Sequence, residues 1–230
     1  MAPANGFFVT GTGTAVGKTV VAAVLARTLQ RQGLRVAVFK PAVTGLEEPG
    51  ETDHALLRRA AGSEQSDDEI APYRYGPPAS PHLAAAQAGE EIDPERLRRA
   101  ARDAATSADR LVCEGVGGLM VPLMWRVGPP VGEQLATYRV RDLAVDLDLP
   151  LIIAASPGLG TINHTLLTIE AARAAGLAIA AVVLTPWPAD PSAIERSNRE
   201  TIADLAQVPV RTLPRLNLNE PESWPELEID

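Results

Sequence analysis

Short β-branched segments alternate with longer, alanine-rich segments along almost the whole chain. The segments with strand character are 6–10, 35–39, 110–114, 150–155, 179–184 and 208–213. Between them the periodicity predicts helices at 17–32, 52–61, 94–107, 141–148, 161–175 and 192–206. An order of this kind is typical of an α/β fold in which helices cross over both faces of a mostly parallel sheet.

Length and composition favour a single domain. The 230 residues are 46% hydrophobic, which is enough for one sizeable core. Two segments, 63–92 and 120–140, contain prolines and glycines yet carry apolar residues, and we expect both to be ordered loops over the sheet rather than linkers. We place the domain at 1–219 and expect the acidic tail at 220–230 to be frayed.

Charge and targeting signals argue against several classes of partner. The formal net charge is −8, and the arginines alternate with acids and alanines on helical segments, which indicates solvated helix faces rather than a nucleic-acid interface. The first residues are too few and too polar for a signal peptide, and no apolar run approaches the roughly 20 residues that span a bilayer. We therefore expect a cytoplasmic protein without membrane or nucleic-acid partners. Cys113, the only cysteine, is expected to be a core thiol in a strand.

Glycine, proline and polar residues follow the predicted strands. In an open parallel sheet, ligands bind outside the carboxyl ends of the strands, so these segments should meet at one edge. They are GTGTAVGKT at 11–19, KPAVTG at 40–45, EGVGG at 114–118, SPGLGT at 156–161, TPWP at 185–188 and PRL at 214–216.

The segment GTGTAVGKT has the ending of a phosphate-binding loop but an irregular beginning. The common pattern, G-x-x-x-x-G-K followed by S or T, requires glycine where this chain has Thr12. A strand that feeds a small-residue loop and then a helix is nevertheless the context in which backbone N–H groups bind phosphate. Lys18 would then contact the β and γ phosphates, and Thr19 would ligate Mg²⁺. The alternative is a glycine-rich turn with an exposed lysine.

Three charged residues near the same edge are further candidates. Glu114 ends an apolar strand, where it needs a cation to offset its desolvation, and it is a candidate Mg²⁺ ligand. Asp53 follows Thr52 at a helix start, a position that more often caps the helix than binds a metal. Lys40 ends a strand just before a proline, and it either points into the cleft or is an edge lysine that reaches solvent.

Five motifs resemble, in their order along the chain, those of the dethiobiotin synthetase family over roughly residues 6–216: GTGTAVGKT, KPAVTG, SPH at 80–82, EGVGG and GLGTINHTLLT at 158–168. The resemblance implies the P-loop NTPase fold and accounts for the longer form of the phosphate loop. It implies a reaction that depends on Mg²⁺ and a nucleoside triphosphate. CO₂ joins 7,8-diaminononanoate as a carbamate, the γ-phosphate activates the carbamate as a mixed anhydride, and ring closure gives dethiobiotin, ADP and phosphate.

The resemblance also implies roles for individual residues. Lys40 and Lys18 would be catalytic, and Thr19, Asp53 and Glu114 would hold Mg²⁺, which makes Asp53 a ligand rather than a cap. The substrate-binding set that it implies is Thr44, Gly118, Leu159, Gly160, Thr161 and Asn163. The nucleotide-binding set that it implies is Gly13, Thr14, Ala15, Val16, Gly17, Lys18, Thr19, Val20, Asp53, Glu114, Gly115, Val116, Gly117, Thr185, Pro186, Pro214, Arg215 and Leu216.

In this family the segment that corresponds to 158–163 comes from the neighbouring subunit, which implies a homodimer with the substrate at the interface. Free N–H groups at the start of the following helix would bind the substrate carboxylate. From the residues alone the same segment could simply be the entry to a helix. His164, at the same helix start, is expected to be structural.

The chain departs from the family pattern at three places. Many members have an Asn-Asp pair after the fifth strand, where the asparagine reads adenine, but this chain has Thr185-Pro186. Base recognition would then fall to backbone groups or to 214–216, so we expect a relaxed preference in which CTP or another triphosphate can replace ATP. Ala15 stands where some members have glutamate, and the stretch 124–137 is longer than usual.

Three other functions are compatible with the same fold. A partition or cell-division switch ATPase would share the sheet and an altered loop, but it would carry a second lysine near the loop start, where this chain has Thr12 and Gly13. A small-molecule kinase would transfer phosphate without consuming CO₂. A nucleotide sensor without catalysis would leave Lys40 and Thr44 without a purpose.

Overall fold

A computed structural model describes residues 5–126 and 136–229 of the chain. In chain order its strands are β1 (Gly6–Gly11), β2 (Val36–Phe39), β3 (Arg110–Gly118), β4 (Pro122–Arg126), β5 (Ala136–Arg139), β6 (Leu151–Ala155), β7 (Ile179–Trp187) and β8 (Val210–Pro214). The helices are α1 (Lys18–Arg31), α2 (Asp53–Ala61), α3 (Asp67–Ile70), α4 (Pro81–Gln87), α5 (Pro94–Thr106), α6 (Val140–Leu147), α7 (Thr161–Ala174) and α8 (Ala193–Ala206).

Six strands form one sheet in the order β2-β3-β1-β6-β7-β8, and every pairing within it is parallel. β1 is therefore central, with Val9 opposite Glu114 of β3 on one side and Ile152 of β6 on the other. From β1 the chain first adds β2 and β3 on one side and later adds β6, β7 and β8 on the other, so the direction in which strands are added reverses at β1. A reversal of this kind opens a crevice at the carboxyl ends of the strands, where ligands bind.

Apolar layers cover both faces of the sheet. Side chains alternate along β1, so Phe8 packs into one layer and Val9 into the other. The Phe8 layer includes residues of α5, α6, α7 and α8, and the Val9 layer includes residues of α1 and α2. Cys113 of β3 is fully buried, as predicted. The predicted α/β class, with a mostly parallel sheet between two layers of helices, is confirmed.

The two expected loops are ordered where they are described, but they contain more regular structure than predicted. Residues 63–92 include α3, which Ser66 starts by accepting a hydrogen bond from the backbone of Glu69 while the Glu69 carboxylate accepts one from the backbone of Ser66. They also include α4, which begins at a proline. In 120–140, β4 and β5 form an antiparallel pair. Residues 127–135, most of the stretch 124–137, lie outside the described residues.

The expectation of a frayed tail is wrong. Trp224 and Leu227 are buried against α1, at 3% and 4% exposure. The Leu227 backbone N–H donates to Thr28 Oγ1 at 3.0 Å, and the Arg31 guanidinium donates to the Trp224 carbonyl at 2.9 Å. Two apolar side chains within the acidic stretch provide the burial that orders it. The domain boundary at residue 219 stays a prediction.

Among the described residues, no helix is both long enough and apolar enough to cross a membrane.

The Trp224 anchor leads to a stability prediction. Trp224→Ala removes a buried indole that also donates from Nε1 to the Asn217 carbonyl at 2.9 Å, so we expect a loss of about 3 kcal/mol in the free energy of unfolding. Glu226→Ala, an exposed position in the same segment, should change that free energy by less than about 0.5 kcal/mol. Urea denaturation measures both, and equal small effects would contradict a packed tail.

Candidate active site

The loop between β1 and α1 has the geometry of a phosphate cradle. Ala15 and Gly17 both adopt left-handed backbone conformations, with φ of 56° and 86°. A side chain at Gly17 would also approach the Thr185 methyl group to 2.6 Å, so only glycine fits there. α1 starts directly afterwards, with no acidic residue in its first turn. The helix N-terminus therefore presents free N–H groups and a positive dipole end to an anion.

Lys18 lies across this loop and is buried, at 7% exposure. Its ammonium donates to the Gly13 carbonyl at 2.8 Å. Burial lowers the pKa of Lys18, while the charge of Glu114 acts in the opposite direction. A lysine held in this way is a cation directed into the loop, and the alternative of an exposed lysine on a glycine-rich turn is excluded.

Thr19, Lys40, Asp53 and Glu114 form a polar cluster beside the loop. Lys40 Nζ contacts Glu114 Oε1 at 2.7 Å and Asp53 Oδ2 at 2.8 Å. Thr19 Oγ1 lies 2.9 Å from Glu114 Oε1 and 3.0 Å from Asp53 Oδ1. These residues come from α1, the end of β2, the start of α2 and β3, so the fold alone brings them together.

Lys40 is fully enclosed, at 3% exposure, and is not an edge lysine that reaches solvent. Burial by itself would lower its pKa, but the two neighbouring carboxylates outweigh burial and hold the pKa above its ordinary value. Lys40 therefore carries a positive charge. The chain has only two lysines, Lys18 and Lys40, and both lie at this site.

The two carboxylates differ in their surroundings. Burial raises the pKa of Glu114, which is fully enclosed, and the attraction of Lys40 opposes this only partly. Burial also acts to raise the pKa of Asp53, but there the charge and hydrogen bond of Lys40 prevail, so the pKa lies below its ordinary value. Asp53 therefore stays ionised and faces Lys40 and Thr19. It does not cap α2, because Thr52 occupies the N-cap position. The role of Mg²⁺ ligand that the family resemblance implies for Asp53 stays a prediction.

The cluster has the donor set of a Mg²⁺ site. Two carboxylates and a hydroxyl are hard oxygen ligands, and Mg²⁺ often takes one or two carboxylates together with phosphate oxygens. Glu114 Oε2 is buried and, within the described residues, has no hydrogen-bond partner. A buried carboxylate oxygen of this kind is costly unless a ligand satisfies it.

The end of β3 closes one side of the phosphate loop. Gly11 of β1 pairs with Gly118, and a side chain at Gly118 would lie 3.3 Å from the Gly11 carbonyl. The position where a Gly117 side chain would begin lies 3.8 Å from Thr14 Oγ1. The structure thus brings Gly117 and Gly118 against the loop, whereas a side chain at Gly115 would meet Val140 and Phe8 instead. Gly11 was absent from the predicted set, although a side chain there would lie 2.9 Å from the Lys18 stem.

Two more predicted segments lie next to each other at the ends of β7 and β8. Trp187 pairs with Pro214, which puts 185–187 beside 214–216. Thr185 is buried, and its methyl group faces Gly17, whereas Pro186, Pro214 and Arg215 are exposed. The predicted base-binding residues therefore share one region near the loop.

The remaining predicted substrate residues lie in the segments that follow β2 and β6. Thr44 is half-buried in the segment after β2. Leu159 and Asn163 are exposed, and Gly160 caps α7 with a φ of 91°. In the described part of the chain, no hydrogen bond or ion pair joins 158–163 to the four-residue cluster. This segment is therefore a separate patch at the same edge of the sheet.

Comparisons with known proteins point in one direction. A family model described as an AAA domain matches residues 5–222. An ATP-dependent dethiobiotin synthetase of Rhodococcus erythropolis is 40% identical over 89% of this chain and 85% of its own length. One from Anaeromyxobacter dehalogenans is 40% identical over 91% of this chain and 90% of its own. One from Bacillus licheniformis is 36% identical over 90% of this chain and 83% of its own.

Solved structures support the fold alone. The McdA–ATP complex of Cyanothece superposes with a TM-score of 0.56 at 14% identity, covering 96% of this chain and 89% of that one. The signal recognition particle receptor FtsY of Elizabethkingia anophelis superposes with a TM-score of 0.50 at 15% identity, covering 96% of this chain and 62% of that one.

The cluster leads to a prediction for the protein without metal. Lys40→Met leaves Glu114 buried without a cation, so we expect the free energy of unfolding in EDTA to fall by about 3 kcal/mol at neutral pH. In the folded variant, Glu114 can take up a proton above the ordinary glutamate pKa of about 4.3, because the pKa of Glu114 is already raised in the wild type. In the unfolded chain, Glu114 takes up a proton only near that ordinary value. The loss should therefore shrink as the pH falls from neutral toward that value.

Urea denaturation of wild type and Lys40→Met across this pH range measures the effect. Lys40→Arg, which keeps a cation, is the matched control and should lose less. A loss that does not change with pH would contradict an unpaired Glu114 as its cause.

Proposed function

The chain belongs to the ATP-dependent dethiobiotin synthetase family and to the AAA domain family, and from this membership we propose its reaction, its contacts and its assembly. It is an ATP-dependent ligase of biotin biosynthesis. Relatives at 36–40% identity do not favour a switch ATPase, a kinase or a sensor. The observation that carries the detailed proposal is the buried Lys40 ammonium, held between two carboxylates beside a phosphate loop.

The proposed reaction has three steps. One amine of 7,8-diaminononanoate attacks CO₂ and loses a proton, which gives a carbamate. A carbamate oxygen attacks the γ-phosphorus of ATP, the bond to ADP breaks, and a carbamic-phosphoric anhydride results. The second amine then attacks the carbonyl carbon, phosphate leaves with the electron pair of the C–O bond, and loss of a proton completes the cyclic urea.

This chemistry requires fixed positive charge. The carbamate and the triphosphate are both anions, and phosphoryl transfer is accelerated mainly by cations and N–H groups that are already in place. Lys18 and the loop N–H groups would hold the triphosphate. Lys40 would stabilise the carbamate and the transferring phosphoryl group, and Thr44 and Gly118 would contact the reacting end of the diamine.

Thr19, Asp53 and Glu114 would hold Mg²⁺, and the unpartnered Oε2 of Glu114 supports this assignment. The ion would neutralise charge on the phosphate oxygens. The same two carboxylates hold Lys40 in the free protein. Carboxylates that hold the ion would attract Lys40 less, which would leave its ammonium available to the reacting anions.

The far end of the substrate is a carboxylate, which we assign to residues 158–163 of a second subunit. The N-terminus of α7 supplies N–H groups for an anion. Leu159, just before α7, is 93% exposed and Leu167, on α7, is 56% exposed, as expected of side chains that a second copy covers. We place this homodimer in the cytoplasm, where ATP and CO₂ or bicarbonate are available.

The dimer leads to a direct prediction. The chain should sediment as a dimer, and Leu159→Asp should shift it toward monomer with a loss of activity, because a charge at the centre of an apolar contact is costly. Analytical ultracentrifugation coupled to an activity assay tests both. A fully active monomer would refute the shared site.

We further propose a relaxed base preference. Thr185-Pro186 lacks the side-chain amide that pairs donor and acceptor with adenine. CTP should therefore compete with ATP and support turnover within about tenfold, a difference of about 1.4 kcal/mol. Competition binding with ATP, CTP and GTP measures the preference, and binding of ATP alone would dispose of the idea.

The reaction itself is tested with purified protein, Mg²⁺, ATP, labelled bicarbonate and 7,8-diaminononanoate. Label should enter an acid-stable cyclic urea in a ratio of one to one with released phosphate. Lys40→Ala should lower kcat by about 100-fold, the scale of one preorganised group, while ATP binding is retained. Phosphate release without label would contradict the ligase, and unaltered turnover by Lys40→Ala would contradict the role of Lys40.

A further inference from the structure

Asn198 is a buried polar residue on α8, a helix that is otherwise largely exposed. Its side chain is 6% exposed and its amide reaches a segment about 40 positions earlier in the chain. The Nδ2 group donates to the Pro157 carbonyl at 2.9 Å and to the Gly158 carbonyl at 3.1 Å. An amide nitrogen carries two hydrogens, so a single side chain satisfies both carbonyls.

These two hydrogen bonds fix the orientation of two successive peptide units. In a trans peptide the carbonyl and the next N–H group point in opposite directions. Because Asn198 holds the carbonyls of Pro157 and Gly158 on the α8 side, the N–H groups of Gly158 and Leu159 point away from α8. The Gly158 carbonyl also accepts from the Thr161 backbone at 3.2 Å, which closes the turn into α7.

The segment has few other attachments. Ser156 and Leu159 are exposed, and Gly160, which has a left-handed backbone, has no side chain to pack. If Asn198 were absent, the Pro157 carbonyl would lose the hydrogen bond that holds it and could rotate outward, whereas the Gly158 carbonyl would keep the Thr161 N–H. A carbonyl oxygen beside an anion would then replace an N–H group, which converts attraction into repulsion.

We propose that Asn198 is a positioning residue for the carboxylate of the diamine substrate. It acts through the backbone of 157–159 and does not touch the substrate. This inference rests on the proposed function, in which 158–163 of one subunit receives the carboxylate of a substrate bound by the other. Asn198 therefore affects how tightly the carboxylate end of the diamine binds and leaves the phosphoryl transfer unaffected.

The test compares two diamines in steady-state kinetics. One is 7,8-diaminononanoate, and the other is the matched diamine in which a methyl group replaces the carboxylate. For Asn198→Ala, we expect KM for the natural diamine to rise about tenfold while kcat and KM for ATP change less than about twofold, the signature of lost uniform binding. KM for the carboxylate-free diamine should stay unchanged, so the preference of the enzyme between the two collapses.

Two further variants separate positioning from stability. Ile202→Ala removes a fully buried side chain one turn later on the same face of α8, and it should destabilise the protein without changing the preference. Asn198→Leu keeps the branched shape of the side chain but removes both N–H donors. It should show the same selective rise in KM for the natural diamine, which keeps the test open if Asn198→Ala does not fold.

The outcomes are distinct. Equal loss on both diamines, or the same selective loss in Ile202→Ala, would overturn the positioning role. Retained preference in Asn198→Ala would overturn it while leaving the carboxylate site intact. A wild-type enzyme without preference would overturn the carboxylate site at 158–163, and the role of Asn198 with it.

Discussion

The buried ion pair between Lys40 and Glu114 is the interaction on which the site depends. Removing either partner is costly, because an unpaired charge in the interior costs several kcal/mol. Lys40 follows β2 and Glu114 lies in β3, and the two strands pair directly. The parallel register therefore puts an ammonium beside a carboxylate at the edge where β1 delivers the phosphate loop. Asp53 and Thr19 complete the network.

The phosphate loop shows why its departure from the common pattern is tolerated. A left-handed backbone favours glycine, although Ala15 adopts one in this loop, and glycine is required where a side chain would collide. Thr12 lies outside the left-handed region, and a side chain at Gly13 would meet open space. The strict requirements fall instead on Gly17, which has both a φ of 86° and a close neighbour, and on Gly11, against the stem of Lys18. A threonine at position 12 therefore costs the loop nothing in backbone geometry.

Most of the fold could be predicted because its signals are local. Helix bounds follow from apolar periodicity and caps, whereas β3 and β7 run further than predicted because the glycines at the end of β3 and the proline near the end of β7 disfavour strands. The features that could not be predicted depend on contacts between residues distant in sequence. Whether Asp53 caps a helix or faces Lys40 depends on β2, and the acidic composition of the tail concealed the burial of Trp224. Asn198 had no local signal at all, because its partners lie on another element.

The two ends of the proposed site use different physical means for a reason. At the phosphate end, charge moves during the reaction, so groups that bind the transition state more strongly than the substrate raise the rate. The full positive charges of Lys18 and Lys40 suit that task, and Asp53 and Glu114 would contribute through the Mg²⁺ that they are proposed to hold. At the alkyl end, the carboxylate has the same charge before and after the reaction, and any attraction there binds substrate and transition state equally. Backbone N–H groups oriented by one buried amide are sufficient for such uniform binding. That end can therefore be built from an exposed loop, whereas the other requires a closed network of charges in the core.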